Sequence, residues 1–134
     1  MNEQILFQLL KEKLIPDLEN TEQYSFNDAT SEYFDASIEL KCRSCHYRYL
    51  LIEKGKYDKL MTSTNPRYIN SIPVAPYQNT YGVYSWNLKT VPEPRWRYRM
   101  CIETTQFGPP KYVRKLVGFL DINNAKNLTS RLFN

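Results

Sequence analysis

The segment at residues 36–43, ASIELKCR, alternates between apolar and polar side chains, and it constrains the fold more than any other part of the sequence. Successive side chains of an extended chain point to opposite sides, so this period of two predicts a β-strand with one face in the core. The predicted inward face consists of Ala36, Ile38, Leu40 and Cys42. The predicted polar face consists of Ser37, Glu39, Lys41 and Arg43.

The residues before this strand, 28–34, are interpreted as a second strand that folds back on the first, with a turn between Glu32 and Asp35. A hairpin of this length brings Asp28 close to Glu39 and Lys41, because residues opposite each other in a hairpin are neighbours. Two carboxylates and one ammonium then share one patch. Such a patch can bind a divalent metal ion and position a water molecule beside a phosphate group.

The order and spacing of these residues resemble the active-site signature of the PD-(D/E)XK nuclease superfamily. Asp28 is followed, about ten residues later, by Glu39-Leu40-Lys41 at the end of a hydrophobic strand. The segment IEKGKYDKLM at residues 52–61 then follows, and this sequence pattern is similar to that of small phage and bacterial members of the superfamily. Asn27 stands where the superfamily usually has a proline. The resemblance covers residues 3–61.

The resemblance implies a single α/β domain of the restriction-endonuclease-like type, with a mixed central β-sheet flanked by helices. It implies metal-dependent hydrolysis of phosphodiester bonds in DNA, and a homodimer as the form that cuts a duplex. Asp28 and Glu39 would hold Mg²⁺ or Mn²⁺, with the backbone carbonyl of Leu40 as a further ligand. Lys41 would orient the attacking water or stabilise charge in the transition state.

Two helices are expected to add residues to this site by the same resemblance. The first helix, at residues 2–14, would bring Glu3 to the metal, with Glu12 as a close rival. The second helix, at residues 49–63, would carry Lys56 toward the site as a further catalytic residue. In the sequence, Ile52, Lys56 and Leu60 are spaced four apart, so Lys56 interrupts an otherwise apolar line. Snorkelling of Lys56 to solvent is the alternative.

The remainder of the chain predicts further strands and a short helix. The strands are expected at residues 67–72, 81–88, 95–102 and 112–120, and a last helix at 124–132. The strand at 95–102 alternates, and the predicted inward residues are Trp96, Tyr98, Met100 and Ile102. With the elements above, this order predicts an α/β fold whose helices lie on the faces of a mixed sheet.

The other face of the 95–102 strand carries a row of arginines, Arg95, Arg97 and Arg99. Guanidinium groups on every second residue lie roughly 7 Å apart, which approximates the spacing of phosphates along one DNA strand. These three residues, together with Arg43, are predicted to contact DNA. The patch is extended by Lys111, Arg114 and Lys115. The alternative is a charged edge strand that resists aggregation.

Composition limits the partners that this chain can have. The net charge of +4 and the pI near 8.9 permit a polyanionic partner. Three cysteines, an odd number, fit a reducing compartment better than a set of disulfides. The N-terminal residues MNEQILFQLLKEK do not have the pattern of a signal peptide. We therefore expect a cytoplasmic protein with no membrane partner and no organic cofactor.

One further motif competes with the nuclease interpretation. Residues 42–46 spell C-x-x-C-H, which in an exported protein indicates haem attachment. A zinc site is also conceivable, because four ligands are present in Cys42, Cys45, His46 and Cys101. An interaction protein stabilised by zinc is therefore the third hypothesis. The second hypothesis does not depend on this motif and is a DNA-binding or assembly module that has the same fold and has lost cleavage.

Overall fold

The alternating segment is strand β3 (Ala36–Cys42) in the computed structural model, which describes residues 1–22, 25–103 and 108–133. Strand β2 (Ser25–Ser31) pairs with β3 as an antiparallel hairpin, as the sequence predicts. The turn falls between Glu32 and Asp35, and Asp35 adopts a positive φ of 49°. Asp residues accept this left-handed conformation more readily than most, which suits a tight turn.

The hairpin belongs to a six-stranded mixed sheet. Its other strands are β1 (Glu19–Glu22), β5 (Asn65–Pro73), β6 (Tyr81–Asn87) and β9 (Lys126–Asn127). The order is β1-β2-β3-β5-β6-β9, in which only the β3–β5 pair is parallel. A parallel pair requires a crossover connection, and this one contains a strand and a helix. The predicted mixed α/β character is confirmed.

Helix α1 (Glu3–Lys13) covers one face of this sheet. Its start is fixed by Asn2, whose side chain accepts a hydrogen bond from the N–H of Ile5 at 2.9 Å. Leu6 and Leu10 are fully buried in one apolar cluster with the inward residues of β3. The short helix α3 (Thr129–Leu132) adds Leu132 to the same cluster.

The opposite face of the sheet is covered by a second, three-stranded sheet and a helix. These elements are β4 (Tyr49–Glu53), α2 (Lys54–Met61), β7 (Arg97–Ile102) and β8 (Tyr112–Asp121). The strand order is β4-β8-β7. Trp86 of β6 is fully buried here, and its Nε1–H donates to Asp121 O of β8 at 2.8 Å. The polar residues of β3 therefore lie beneath a second layer, and this layer positions the candidate site.

Three predicted elements differ from the structure. Residues 49–53 are strand β4, since alternate residues Leu50 and Ile52 are buried and pair with β8, and the helix begins only at Lys54. Tyr98, Met100 and Ile102 were predicted to face inward, but each is about 60% exposed, because β7 lies at the edge of its sheet. The predicted C-terminal helix at 124–132 is limited to α3, preceded by a 3₁₀ turn at Ile122–Asn124 and by β9. In the described part of the chain, no helix has the length and apolar character needed to cross a membrane.

Two glycine substitutions test the packing of the second layer. A Cβ on Gly118 of β8 would lie 2.4 Å from Pro94 Cβ and 3.1 Å from the Trp96 ring, so Gly118→Ala is expected to lower the free energy of unfolding by about 1–3 kcal/mol. A Cβ on Gly55 of α2 would meet nothing within 4 Å, so Gly55→Ala is expected to stabilise by up to about 1 kcal/mol. Urea denaturation of both variants measures the contrast. Equal stabilities would contradict the close approach at Gly118.

Candidate active site

Asp28 and Glu39 lie directly opposite each other on β2 and β3. The N–H of Arg43 donates to Ser71 O of β5 at 2.8 Å, and alternate residues of a strand direct their backbone groups to the same neighbour. Glu39 therefore directs its N–H and C=O toward β5. Asp28 O, for its part, accepts a hydrogen bond from Thr21 Oγ1 on β1 at 3.2 Å. The two residues thus form a non-hydrogen-bonded pair, the arrangement in which opposite side chains are closest.

Glu39 is almost completely buried, with 2% of its surface exposed. Burial and the hydrogen bond to the Asp28 carboxyl group raise the pKa of Glu39 from 4.5 to about 8, against the opposing effect of Lys56. At neutral pH Glu39 therefore holds a proton that it shares with Asp28. Two carboxyl groups in contact behave as a coupled pair, and such a pair releases its last proton readily only when a cation compensates the charge.

Lys56 supplies one such positive charge from helix α2. Its Nζ donates to Glu39 Oε1 at 2.8 Å. Burial lowers the pKa of Lys56, but the hydrogen bond to Glu39 and the charges of Asp28 and Glu53 outweigh it, so this pKa is raised. Lys56 interrupts the apolar line in the sequence because its ammonium reaches a buried carboxyl group below the helix.

Lys41 lies two residues beyond Glu39 on the same face of β3, roughly 7 Å farther along the strand. It is half-buried, and no residue in the described ranges accepts a hydrogen bond from its ammonium. Burial lowers the pKa of Lys41, and the positive charges of Arg43 and Lys56 lower it further. An ammonium without an acceptor, among other cations, is well placed to receive an anion.

The Asp28–Glu39 pair borders a cleft of about 440 Å³ between the β2–β3 hairpin and helix α2. A water molecule occupies about 30 Å³ in the liquid, so the cleft has room for a hydrated ion and a phosphate group. Besides the carboxyl pair, its polar lining consists of Thr21, Thr30, Ser37, Lys56, Lys59 and Thr62. The cleft therefore combines acidic groups at its base with ammonium and hydroxyl groups at its walls.

Sequence reasoning missed Glu53, which ends β4 immediately before helix α2. Its Oε1 accepts a hydrogen bond from Lys115 Nζ of β8 at 2.7 Å. Burial raises the pKa of Glu53, but Lys115, Lys56 and Lys41 outweigh it, so this pKa is lowered. No feature of the sequence distinguished Glu53, because the sequence pattern placed residue 53 inside a longer predicted helix. Lys111, Arg114 and Lys115 were predicted to extend the basic patch. Lys115 instead forms an ion pair with Glu53, whereas Lys111 and Arg114 are exposed.

The predicted metal ligand Glu3 lies outside the carboxyl pair. Its Oε1 accepts a hydrogen bond from the N–H of Cys42 at 3.4 Å, three residues beyond Glu39. Glu12, its rival, is exposed on α1. The side chain of Leu40 is fully buried in the core, and the role of its backbone carbonyl as a ligand stays a prediction. Within residues 1–22, 25–103 and 108–133, no three His, Cys, Asp or Glu side chains are grouped so as to hold a metal ion. The structure therefore brings together two carboxyl groups and two lysines.

Arg43 is part of an internal network. Its Nε donates to Asn70 Oδ1 at 3.3 Å, and its Nη2 donates to Leu51 O at 2.9 Å and to Tyr68 Oη at 3.1 Å. The Tyr68 hydroxyl also donates to Leu51 O at 2.9 Å. These bonds join β3 and β5 of the large sheet to β4 of the small one. They hold the Arg43 guanidinium in place beside Lys41, so this side chain, which was predicted to contact DNA, has a structural role.

The arginine row is exposed on and before β7. Arg95 and Arg97 border one cleft, and Arg99 borders another, which Arg43 also lines. The Arg99 guanidinium lies 5.5 Å from the centre of the Phe119 ring. The basic surface thus extends from β7 to the end of β3, the strand that carries Lys41.

The C-x-x-C-H motif shows no assembled zinc site among the described residues. Cys42, Cys45 and Cys101 are free thiols, and Cys45 is exposed. Nδ1 of His46 is 2.9 Å from Pro73 O, a hydrogen-bonding contact that fixes the ring against the end of β5. Burial raises the pKa of the Cys42 thiol to about 12, and this half-buried thiol packs against the apolar cluster below β3.

Comparison with known proteins found no matching family model, no matching curated protein and no matching solved structure.

The buried proton on Glu39 makes a testable prediction about stability. The folded state holds a proton on Glu39 that the unfolded state releases above pH 4.5. The stabilisation of the folded state by this proton is therefore complete below pH 4.5 and is lost as the pH rises through about 8. Relative to wild type, Glu39→Gln should therefore gain stability between about pH 5 and pH 9, by on the order of a few kcal/mol. Denaturation curves in the presence of a chelator measure this difference.

Glu12→Gln, at an exposed site on α1, is the control and should follow the wild-type profile at every pH. A Glu39→Gln profile that runs parallel to wild type would mean that Glu39 is ionised in the folded protein at neutral pH.

Proposed function

We propose that this protein is a metal-dependent nuclease that hydrolyses phosphodiester bonds in DNA, with a fold of the restriction-endonuclease-like type. The observation that carries the proposal is the contact between Asp28 and Glu39, with Lys56 on the pair and Lys41 on the same strand face. Asp28, Glu39 and Lys56 come from three different elements and line one cleft, and Lys41 follows Glu39 on the same face of β3. The mixed sheet with helices on both sides also agrees with that fold.

The chemistry of the donor set fits Mg²⁺ or Mn²⁺. Both are hard ions that prefer oxygen ligands, and Mg²⁺ retains several waters beside one or two carboxylates. Asp28 and Glu39 offer two carboxyl groups in the lining of a cleft that has room for those waters. When bound there, the ion would activate a water molecule and offset charge on the scissile phosphate.

The residues of the chain then have distinct tasks. Asp28 and Glu39 would hold the ion, and Glu39 would then be present as the carboxylate. Lys56, whose Nζ lies 2.8 Å from Glu39 Oε1, places a positive charge beside the pair. Lys41 has no acceptor of its own among the described residues, so its ammonium orients the attacking water or stabilises the phosphate.

DNA approaches along the basic surface that leads from Arg99 to the end of β3. Contacts between guanidinium groups and phosphates are independent of sequence and position the substrate. Arg95, Arg97 and Arg99 serve this purpose in the proposal, whereas Arg43 holds the strand ends in place. The free thiols fit the reducing conditions of the cytoplasm, which is where the proposal places the enzyme.

Removal of Lys41 is expected to abolish cleavage while the fold is retained. Lys41→Ala removes an ammonium that donates no hydrogen bond to any residue that the structure describes, so the fold should not depend on it. The loss of one such charge from an active site typically costs about 100-fold or more in rate. Nicking of a supercoiled plasmid with Mg²⁺ or Mn²⁺ measures the effect, with the free energy of unfolding as a check on the fold.

Lys13→Ala, on the exposed side of α1 across the sheet, is the matched control and should cleave like wild type. If Lys41→Ala and wild type cleave at equal rates, the nicking arises from another site or from a contaminant.

An inactive binding module on the same fold is the second candidate, because the hydrogen bond from Lys56 to the buried Glu39 would also hold the site together without a metal. Calorimetric titration with Mn²⁺ separates the two. For a nuclease, binding at about pH 7 should release close to one proton, since the pKa of Glu39 is about 8 without metal. The proton count comes from repeating the titration in buffers with different ionisation enthalpies.

Asp28→Asn should abolish this heat signal, and Glu12→Gln should leave it unchanged. No Mn²⁺ uptake by the wild-type protein would favour the inactive module over the nuclease.

A further inference from the structure

Strand β7 presents an unpaired edge that carries large apolar side chains. It pairs only with β8 in the part of the chain that the structure describes. Tyr98, Met100 and Ile102 are 62%, 59% and 58% exposed, although all three lie on one face of the strand. Natural proteins usually protect an edge of this kind, because a free apolar edge strand pairs with other chains. The exposure of three such residues in a row therefore indicates an edge that has a partner.

The backbone of β7 is directed so that the same three residues offer their hydrogen-bonding groups outward. The N–H of Glu103 donates to Lys111 O at 2.7 Å, so residue 103 directs its backbone groups to the β8 side. Alternate residues share this direction, and Arg97, Arg99 and Cys101 therefore also bond toward β8. The even-numbered residues direct three N–H and three C=O groups to the free edge.

From this edge we infer that a second copy of the chain pairs with β7 as an antiparallel strand, with the two-fold axis at Met100. The two three-stranded sheets would then form one continuous six-stranded sheet. Tyr98 would lie opposite the partner's Ile102, and Met100 opposite the partner's Met100. The six backbone groups of each copy would all be satisfied. The inference stands on the β7 edge alone and does not depend on nuclease activity.

Charge and the number of paired residues together favour this register among the symmetric ones. Only the even-numbered residues bond toward this edge, and they pair with even-numbered residues of the partner, so the register changes in steps of two residues and the axis moves in steps of one. With the axis at Met100, Arg97 lies opposite the partner's Glu103, and neither residue forms an ion pair with any other residue in the described ranges. Moving the axis to Arg99 places two arginines opposite each other, which is unfavourable. Moving it to Cys101 also places an arginine, Arg99, opposite the partner's Glu103, but it leaves Arg97 and Tyr98 outside the pairing of described residues.

Cysteine cross-linking distinguishes these registers in the full-length protein. In the proposed pairing, residue 99 lies opposite the partner's Cys101 in a non-hydrogen-bonded pair, where side chains are closest. In a Cys45→Ser background, which removes the exposed thiol, Arg99→Cys should therefore form a disulfide-linked dimer on mild oxidation, and Arg97→Cys should not. Both results are needed, because an axis at residue 99 would also bring the two copies of position 99 together. Cross-linking of Arg97→Cys to the partner's Cys101 would place the axis at residue 99. Cross-linking of Cys45→Ser alone would place it at Cys101. Either result overturns the proposed register.

Sedimentation of the unmodified protein tests the interface itself. The expected result is a mass that rises with concentration toward twice the 16.0 kDa of the chain. Met100→Lys places two ammonium groups at the axis and should leave a monomer, whereas Tyr112→Lys, on the same ribbon but on β8, should still dimerise. Arg97→Glu should weaken the dimer at least tenfold, and Arg97→Glu combined with Glu103→Arg should restore it. A monomer at all concentrations, or equal effects of Met100→Lys and Tyr112→Lys, would overturn the inference.

Discussion

The candidate site depends on the burial of one carboxyl group, that of Glu39, between two layers of the protein. A carboxylate loses most of its hydration when it is buried, and a lone ionised carboxylate would destabilise the fold by several kcal/mol. The structure limits this cost in two ways. Asp28 accepts a shared proton across the hairpin, and Lys56 donates a hydrogen bond from the covering helix. Asp28, Glu39 and Lys56 thus meet at one point, and their contacts hold β2, β3 and α2 in place with respect to each other.

A buried pair of this kind is poorly explained as a device for stability alone. Replacing such a group by an apolar residue of similar volume is often neutral or stabilising. The same sheet face supplies apolar neighbours, Tyr68 and Trp86, across the register from Glu39. A leucine at position 39 would therefore fit this environment at lower cost. The presence of an acid here, with a second acid in contact, favours a role in binding a cation.

The sequence was sufficient to predict the hairpin and the placement of the acids on it, because both follow from local rules. Period-two alternation determined which residues of β3 face the core, and the turn residues set the register that places Asp28 opposite Glu39. Lys56 was also found from local spacing, although Ile52, one of the residues in that spacing, lies on a strand. What could not be predicted was the second layer. Residues 49–53 form a strand only because β8, about 65 residues later in the chain, supplies their partner. The burial of Glu39 and the ion pair between Glu53 and Lys115 depend on that layer, so no local pattern reveals them.

The second layer also connects the two proposals physically. Lys115 reaches Glu53 from β8, and the opposite edge of β8 pairs with β7, where the apolar edge lies exposed. If β7 joins the β7 of a second copy, the two carboxyl pairs become related by a two-fold axis that passes through one continuous sheet. The strands of a DNA duplex are related by two-fold axes as well, and symmetric dimers commonly use this match. A dimer with its axis at Met100 would thus carry two symmetry-related carboxyl pairs and bring the two copies of Arg99 onto one sheet surface. The edge that appears unprotected in the single chain would then be the element that sets the distance between the two sites.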